Sequence, residues 1–425
     1  MTQMREMIHQ IDAGQNRGIT REVVSTAARL LFANGQTTER TVLAAKRLAA
    51  GLGARANVFP SWGKLGICIE NDTVSHTELL AVKPSGVDMN KVIATLKVVD
   101  QVHDHRLNGS DAKQELEKIG QFKPVPVLRF ALMAGAGAAA LGVIFGTTHL
   151  LSLVLIALSA SIGAFLRRGV AGISHNLYLQ PFCAALFAGI VGAVAVRLQL
   201  SSSLRLIAVC PCMVLVPGPH FLNGALDLAR ARFKLGSARI AYASLITLAI
   251  CLGLVLGLAL GGVALPASAP SHSVPIGYDV LAAGVAVAAY GVFFNMPWRM
   301  LPIPILVGML AHASRWMAIS VAGASVEVGA FVACLIVGVI LSPVAEWLRL
   351  PFAGVAFASV VSLIPGVFLF RMAGGLVELA TSGPGARGHL FAQITTDATT
   401  ALLIILAMAF GVIVPKLCFE RFARP

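Results

Sequence analysis

Ten apolar runs after residue 130 are the feature of this sequence that most restricts its fold. They occupy residues 130–145, 150–166, 181–196, 206–216, 240–260, 280–294, 301–313, 328–341, 352–364 and 398–414. Only 12% of the 425 residues are charged, and the mean hydropathy of +0.80 lies outside the range of soluble globular proteins. A simple spanning helix needs about 20 apolar residues, so the shorter runs are unusual. The pattern predicts a multi-pass α-helical membrane protein with about ten transmembrane helices.

The first 123 residues have the composition of a soluble domain. They hold 16 Lys or Arg and 13 Asp or Glu, whereas the 302 residues from Pro124 onward hold 17 basic and only 7 acidic residues. Helical patterns flank three strand-like runs, which predicts the order α-α-β-β-β-α-α. The first residues lack the apolar core of a signal peptide, so we expect a cytoplasmic α+β domain over 1–123. It has no Walker loop, Rossmann glycine pattern or metal-ligand spacing, and no cofactor is predicted.

The net charge of +13 does not indicate a nucleic-acid partner, because the basic residues form no stripe with interleaved aromatic residues. In the membrane part they concentrate in alternate connections. With the N-terminus inside, eleven basic residues lie on the cytoplasmic side and five on the external side. This bias predicts ten spans of a lipid bilayer, with both termini in the cytoplasm.

Two short apolar runs end at proline-glycine breaks, Pro217-Gly218-Pro219 and Pro365-Gly366. A break inside hydrocarbon is costly unless it lines a cavity. It exposes carbonyl groups before the break and N–H groups at the start of the next helix. Such helix ends suit the two charges of an amino-acid zwitterion. A kink that eases packing, or the simple end of a short span, is the alternative interpretation of each break.

An internal repeat relates the two breaks. The words FCAALFAG and FVACLIVG recur at an offset of 149 residues, and MVLVPGPHF and VSLIPGVFL recur at an offset of 148. Agreement in order and offset predicts a duplication of five spans. Because five is odd, the two copies must lie in opposite orientations, which is the inverted-repeat design of many secondary transporters. The predicted division is a first five-helix repeat at 124–262, an external linker at 263–279 and a second five-helix repeat at 280–425.

These motifs together resemble the threonine/serine exporter family. The resemblance rests on FPSWGKLGICIE, VDMNKV and VVDQVHDHRLNG before residue 124, on the later SLIPG, and on the pattern P-G-x4-N-x3-D formed by Pro217, Gly218, Asn223 and Asp227. It covers nearly the whole chain and implies an exporter of threonine and serine in the bacterial inner membrane, driven by the proton motive force. The second half departs from the fuller pattern, because only Arg371 and Glu378 follow its break. The two breaks are therefore expected to differ chemically.

This interpretation predicts substrate near the membrane midplane, between the two breaks. One half would rock against the other to give alternating access. Asn223 or Ser362 can hydrogen-bond a substrate hydroxyl. The predicted substrate-binding residues are Pro217, Gly218, Pro219, Asn223, Ser362, Pro365 and Gly366.

Three acids near the apolar runs are candidates for proton coupling, namely Asp227, Glu327 and Asp397. An exposed ion pair between Asp227 and Arg230 at the cytoplasmic edge is the alternative for the first. Glu327 and Asp397 lie near predicted helix ends, where reaching toward water or capping the helix is the simpler role. His220, beside the first break, is more simply explained as lining a cavity.

Two other functions stay open. Cys210-Pro211-Cys212 matches the Cys-Pro-Cys of heavy-metal pumps and would make the chain a metal-ion channel or carrier. Small buried cysteines are the simpler interpretation, and no metal site is predicted. Alternatively, the membrane part anchors a ligand-binding cytoplasmic domain, as in a sensor, although an anchor needs neither ten spans nor two broken helices. No enzymatic activity is predicted. The expected partners are a small amino acid, protons and lipid, and assembly into a homo-oligomer is left open.

Overall fold

The structure of the chain is a computed structural model that describes residues 2–71, 74–84, 86–200, 204–263, 274–381 and 383–422. It forms two compact units. Unit 1 comprises Met1–Pro124, Leu222–Ile240 and Ala345–Gly354. Unit 2 comprises Val125–Phe221, Ala241–Val344 and Val355–Pro425. Two short internal segments therefore fold with the N-terminal residues.

Seven elements make up the N-terminal part of unit 1. They are α1 (Thr2–Ala33), α2 (Thr38–Gly51), β1 (Arg55–Ser61), β2 (Gly63–Asn71), β3 (Val74–Val82), α3 (Met89–His103) and α4 (Gly109–Gly120). The strands form one antiparallel sheet in the order β1-β2-β3. Gly63, at φ +83°, allows the tight turn between β1 and β2. The side chains of Asp88 and Asn108 cap α3 and α4 by accepting hydrogen bonds from backbone N–H groups.

The core of unit 1 lies between one face of the sheet and the helices. Leu65 and Ile67 alternate along β2 and are fully buried, and so are Leu31 of α1 and Leu48 of α2. Burying each such side chain contributes about 2–3 kcal/mol. Leu235, from the internal segment 222–240, belongs to the same core. Apolar burial therefore explains why that segment folds with the N-terminal elements.

Twelve further helices follow. They are α5 (Val127–Ile144), α6 (Leu150–Ile173), α7 (Leu179–Arg197), α8 (Leu204–Met213), α9 (Gly218–Ala229), α10 (Phe233–Leu260), α11 (Ile276–Phe293), α12 (Pro302–Trp316), α13 (Val326–Trp347), α14 (Phe352–Val360), α15 (Gly366–Thr381) and α16 (Pro384–Phe422). Within the described residues, eight helical segments are long and apolar enough to cross a membrane. The number rises to ten if each of two bent pairs is one span. This agrees with the predicted multi-pass helical membrane protein.

The two bent pairs coincide with the proline-glycine breaks. The helices α8 and α9 meet at 55°, and the helices α14 and α15 meet at 64°. Proline removes a backbone donor and clashes with the preceding turn, so both bends have a local cause. Of the linker predicted at 263–279, residues 264–273 lie outside the described residues, and α11 begins at Ile276.

Glycines set the closest helix approaches in unit 2. A Cβ atom at Gly189 of α7 would crowd the Gly257 backbone of α10, at 3.0 Å from its Cα. A Cβ atom at Gly338 of α13 would lie 2.7 Å from the Gly411 carbonyl oxygen of α16. Small residues let membrane helices approach in this way. Gly189 and Gly338 are 149 residues apart, which is the offset of the sequence repeat.

Candidate functional site

The two breaks share one backbone geometry. At the first, the Gly218 N–H donates to the Val216 carbonyl at 2.9 Å, and at the second the Gly366 N–H donates to the Ile364 carbonyl at 2.8 Å. Each bond closes a three-residue turn around the intervening proline. The next helix begins at the glycine in both cases. The repeated words in the sequence therefore have the same local conformation.

The structure brings the two breaks together in unit 2. A side chain at Gly218 would overlap the Phe357 ring of α14. A Cβ atom at Gly366 would lie 2.8 Å from the Met213 side chain at the end of α8. The contact is reciprocal, because the glycine of each break faces the helix that leads into the other. Pro217-Gly218-Pro219 and Pro365-Gly366 are therefore linked through these two contacts, of Gly218 with Phe357 and of Gly366 with Met213.

Tyr290 of α11 fills the space behind the first break. Its hydroxyl donates a hydrogen bond of 2.9 Å to the Met213 carbonyl, at the end of α8. Its ring lies 6.1 Å from the Phe357 ring, at 73°. The last carbonyls of a helix have no partner within the helix. In this conformation a phenol satisfies one of the carbonyl groups that the break exposes.

A small cavity of about 10 Å³ lies in front of the first break. Its lining includes Val214 and Leu215, next to the break, and Ser159 and Arg167 of α6. The Ser159 hydroxyl is buried and has no hydrogen-bond partner among the described residues. The Arg167 guanidinium lies 5.3 Å from the centre of the Phe293 ring. This volume holds about one water molecule, so the cavity is closed to an amino acid here.

Ser362, before the second break, belongs to a chain of three buried polar side chains. Its hydroxyl lies 2.5 Å from His312 Nε2, and His312 Nδ1 lies 2.9 Å from a carboxylate oxygen of Asp279. The exposed fractions of Asp279, His312 and Ser362 are 3%, 0% and 3%. Ser362 was predicted from the sequence, but its two partners were not. His312 lies inside the apolar run 301–313, where an ionisable residue is a functional candidate by default, whereas Asp279 lies one residue before the run 280–294.

Asn223 and Asp227 lie in unit 1 and are engaged by its N-terminal part. The Asn223 side-chain amide donates to the Gly35 carbonyl at 3.2 Å. The Thr38 hydroxyl donates to the Asp227 carboxylate at 2.9 Å. Both side chains therefore attach α9 to the residues at the start of α2.

Two arginines surround Asp227. Arg239 Nε lies 3.1 Å from one carboxylate oxygen, and an Arg232 nitrogen lies 3.6 Å from the other. Arg232 also pairs with Glu39 at 2.6 Å. Asp227 is only 2% exposed. The alternative of an exposed Asp227–Arg230 pair is therefore wrong, because the carboxylate is removed from water and its close partners lie on other parts of unit 1.

The two other predicted acids differ from each other. Glu327 is half-buried in the first turn of α13. Asp397 is buried within α16, and its carboxylate lies 3.1 Å from Arg371 Nε of α15. The capping role considered for Asp397 is wrong, because α16 begins at Pro384, more than three turns earlier.

The Cys-Pro-Cys segment is a continuous part of α8. Cys210 and Cys212 are fully buried. Across the part of the chain that the structure describes, no group of three or more His, Cys, Asp or Glu side chains could hold a metal ion. His220 is buried and lies edge-on to the Tyr242 ring, with 5.2 Å between ring centres.

Unit 1 has a polar cleft of about 240 Å³. Arg40 in α2 pairs with Glu346 of the segment 345–354. Asp100 in α3 pairs with Arg47 at 3.1 Å and also with Arg349. Three arginines and two acids line the cleft, and they connect α2 and α3 to the segment 345–354.

Comparison with protein families decides the identity. A model of threonine/serine exporters matches residues 22–261, and a second threonine/serine exporter model matches residues 279–418. The chain belongs to the threonine/serine exporter family. This confirms the family that the sequence motifs predict, and it supports export of hydroxy amino acids by a membrane-embedded transporter. The junction between the two exporter matches falls within the linker predicted at 263–279. No solved structure matches the chain.

Proposed function

We propose that the chain is a secondary active exporter of threonine and serine, driven by the proton motive force, with its substrate site at the paired breaks. The reciprocal packing of Gly218 on Phe357 and of Gly366 on Met213 carries this proposal. Two discontinuous helices that meet at their breaks form the substrate site in many inverted-repeat transporters. Pro217, Pro219 and Pro365 maintain the openings, and the helix ends supply backbone groups to the substrate.

The proposed architecture is two inverted halves with ten spans. The contacts within unit 1 support it, because they require an even number of membrane crossings between its segments. Thr38 bonds to Asp227, and Arg40 pairs with Glu346, so these residues share one side of the membrane. Between Thr38 and Asp227 the chain passes through α5, α6, α7 and the bent pair of α8 and α9. An even number of crossings requires that this bent pair counts as a full span. Four helices, α10 to α13, then lead back to Glu346.

The proposed sidedness follows from the basic residues. Both termini lie in the cytoplasm, and the membrane is the bacterial inner membrane. The repeated glycine contacts, Gly189 with α10 and Gly338 with α16, are what two copies of one five-helix unit would produce.

Recognition of the zwitterion is proposed as follows. Arg167, in the closed cavity before the first break, is the nearest cation for the substrate carboxylate once the cavity widens. Ser159 and Ser362 supply hydroxyl groups beside the first and the second break. The role proposed for Asn223 as a ligand of the substrate hydroxyl requires that its bond to Gly35 opens. Alternating access would widen and close the two sides of the paired breaks in turn.

Asp227, Glu327 and Asp397 remain proposed proton-coupling residues. Asp227 and Asp397 each face an arginine, the buried Arg239 and the half-buried Arg371, so protonation of either acid would release a guanidinium. Because each pair joins two helices, such a release would couple the uptake of a proton to helix movement. Glu327 lacks an arginine partner of this kind among the described residues.

A sensor function is the second candidate, because of the polar cleft in unit 1. Its Arg40, Arg47 and Arg349 exceed its Asp100 and Glu346 by one positive charge. An anionic ligand would fit that balance. Binding of such a ligand with no transport by the same protein would favour the sensor. The metal carrier that uses Cys210 and Cys212 has no comparable support.

A vesicle assay tests the proposed function. Purified protein is reconstituted and loaded with a panel of labelled amino acids, with and without an imposed pH gradient. We expect threonine and serine to move faster than in protein-free vesicles, with further acceleration by the gradient. Equal loss from both vesicle types would contradict export. Replacement of Cys210 and Cys212 by serine should leave the flux unchanged.

A further inference from the structure

We propose that Asp279, His312 and Ser362 form a proton-coupling site in which a proton on His312 and the substrate ammonium group compete for one hydrogen-bond chain. The inference rests on the proposed export function and deepens it. It names the group that takes up the proton and the substrate atom that the proton displaces.

The three residues come from three elements that meet beside the second break. Asp279 is in the first turn of α11, His312 is near the end of α12, and Ser362 is in the short helix Val361–Leu363, four residues before Gly366. A hydrogen bond of 2.9 Å from Trp316 Nε1 to the Val274 carbonyl joins the same ends of α11 and α12. In the ten-span topology these ends face the external side, from which the driving proton enters.

Few other ionisable groups surround His312. Arg315, three residues further along α12, interacts electrostatically with Asp279. Tyr290 of α11 is bonded to the Met213 carbonyl, and Tyr278 is exposed. The short helices on either side of α12, Trp298–Met300 and Met317–Val321, add only Arg299. On the described part of the chain, the charged groups at this end of α12 are therefore Asp279, the half-buried Arg315 and, from the first turn of α13 that packs on Arg315, the half-buried Glu327.

The chain of bonds has two states. With neutral His312, the Nδ1–H donates to the Asp279 carboxylate and the Ser362 O–H donates to Nε2. The Ser362 oxygen then accepts a hydrogen bond from the substrate ammonium. When a proton binds Nε2, the Nε2–H donates to the same Ser362 oxygen, and the imidazolium charge repels the ammonium group. Only one proton moves, and the Asp279 carboxylate balances its charge.

This competition moves the proton and the substrate in opposite directions, as proton-driven export requires. A proton that enters from outside displaces the substrate, and a substrate that binds from inside requires a deprotonated site. Proton and amino acid therefore occupy the site in turn and move in opposite directions.

The first half has no such hydrogen-bonded triad at the equivalent positions. Phe130, Gly163 and Val214 precede Asp279, His312 and Ser362 by 149, 149 and 148 residues, and all three line the cavity at the first break. One repeat therefore has apolar side chains and space where the other has acid, imidazole and hydroxyl. This difference explains how a duplicated fold acquires such a proton site in one half only.

The same triad geometry also suits a serine hydrolase, in which His312 would activate Ser362 as a nucleophile. The near-complete burial of all three groups and the membership in an exporter family favour the proton site. Covalent labelling of Ser362 by a fluorophosphonate probe, with loss of labelling in Ser362→Ala, would overturn the inference.

Proteoliposomes with the full chain supply the transport test. Two fluxes of labelled threonine are compared: net export driven by a pH gradient, and threonine–threonine exchange at equal pH. For His312→Gln we expect gradient-driven export to fall by about 100-fold, as on loss of a proton-transfer group, while exchange stays within about threefold. The controls Ser342→Ala, which removes a buried hydroxyl bonded within its own helix, and His149→Gln, at an exposed position, should change neither flux.

A binding measurement on the detergent-solubilised full chain provides the second readout. We expect the threonine Kd of the unaltered protein to rise as the pH falls, by up to about tenfold per pH unit, because one proton competes with one substrate. In Asp279→Asn the rise of Kd should begin at a lower pH. In Ser362→Ala the Kd should depend less steeply on pH. A Kd independent of pH, or gradient-driven export retained by His312→Gln, would overturn the inference. Absence of both fluxes in the unaltered protein would instead refute the proposed export function.

Discussion

At the scale of single residues, two glycines decide whether the breaks can meet. Gly218 faces the Phe357 ring and Gly366 faces the Met213 side chain, with no room for a Cβ atom at either position in this conformation. Well-packed interiors tolerate added methyl groups poorly. The absence of a side chain therefore contributes to the site as directly as any polar group.

Gly218→Ala and Gly366→Ala should each weaken export. The added methyl group forces the breaks apart at a cost of about 1–3 kcal/mol. A cost of 1.4 kcal/mol on the transport-competent state lowers the initial threonine flux by about tenfold.

Gly277→Ala is the matched control, because a Cβ atom at this helical position meets nothing within 4 Å. Its flux should match that of the unaltered protein. Combining Gly218→Ala with Phe357→Ala should restore part of the lost flux. Full export by both single variants would contradict the close contact.

At the scale of elements, each broken helix is attached to the next helix by an Asp–Arg pair whose carboxylate is buried. After the first break, Asp227 of α9 pairs with Arg239 of α10. After the second, Arg371 of α15 pairs with Asp397 of α16. In the first half the acid lies on the broken helix and the arginine on the next helix, and in the second half the two positions are reversed. The chemical difference expected between the breaks therefore extends to the pairs that secure them.

Neutralising one member of a buried pair should destabilise the protein more than neutralising both. Arg239 is fully buried, and its two terminal nitrogens have no hydrogen-bond partner among the described residues. We expect Asp227→Asn or Arg239→Gln to cost about 3–5 kcal/mol, and the double variant to cost less than either. Thermal unfolding in detergent measures the effect.

The exposed pair Glu115–Lys118 provides the comparison, and its neutralisation should cost less than about 1 kcal/mol. Additive costs for Asp227 and Arg239 would contradict a coupled pair. If the double variant regains stability but not gradient-driven export, Asp227 has the proton-coupling role predicted from the sequence.

The positions of the two bends could be predicted from the sequence, because proline and glycine act locally. The pairing of the breaks in an inverted repeat stays a prediction. The sequence could not predict that Asn223 and Asp227 bind Gly35 and Thr38, since those partners lie almost 190 residues away along the chain. His312 could have been singled out as a histidine inside an apolar run. Its pairing with Asp279 and Ser362 could not be predicted, because these partners lie 33 and 50 positions away along the chain, on other helices.

At the scale of the whole molecule, the proposed ten-span topology has the chain cross the membrane an even number of times between the segments of unit 1. The apolar runs predicted this number, but only the contacts within unit 1 give a reason to count the α8–α9 pair as a full span. Hydropathy alone cannot distinguish a broken span from a re-entrant loop.

Single cysteines in a variant without the seven native cysteines should report this topology in intact cells. His149→Cys and Ala322→Cys, both at exposed positions, should react with a membrane-impermeant maleimide added outside. His175→Cys and Arg299→Cys, also exposed, should react only after permeabilisation. Labelling of His175→Cys in intact cells would contradict the inverted ten-span arrangement.

Protection of a thiol at the paired breaks by threonine tests the central claim most directly. Met213→Cys, in the cysteine-free variant, places a thiol between the first break and Gly366. At a threonine concentration about ten times its Kd, alkylation of this thiol should slow by roughly tenfold, because occupied sites do not react. Alkylation of His149→Cys should stay unchanged. Equal rates at Met213→Cys with and without threonine, in a variant that still exports threonine, would show that the substrate does not bind at the breaks.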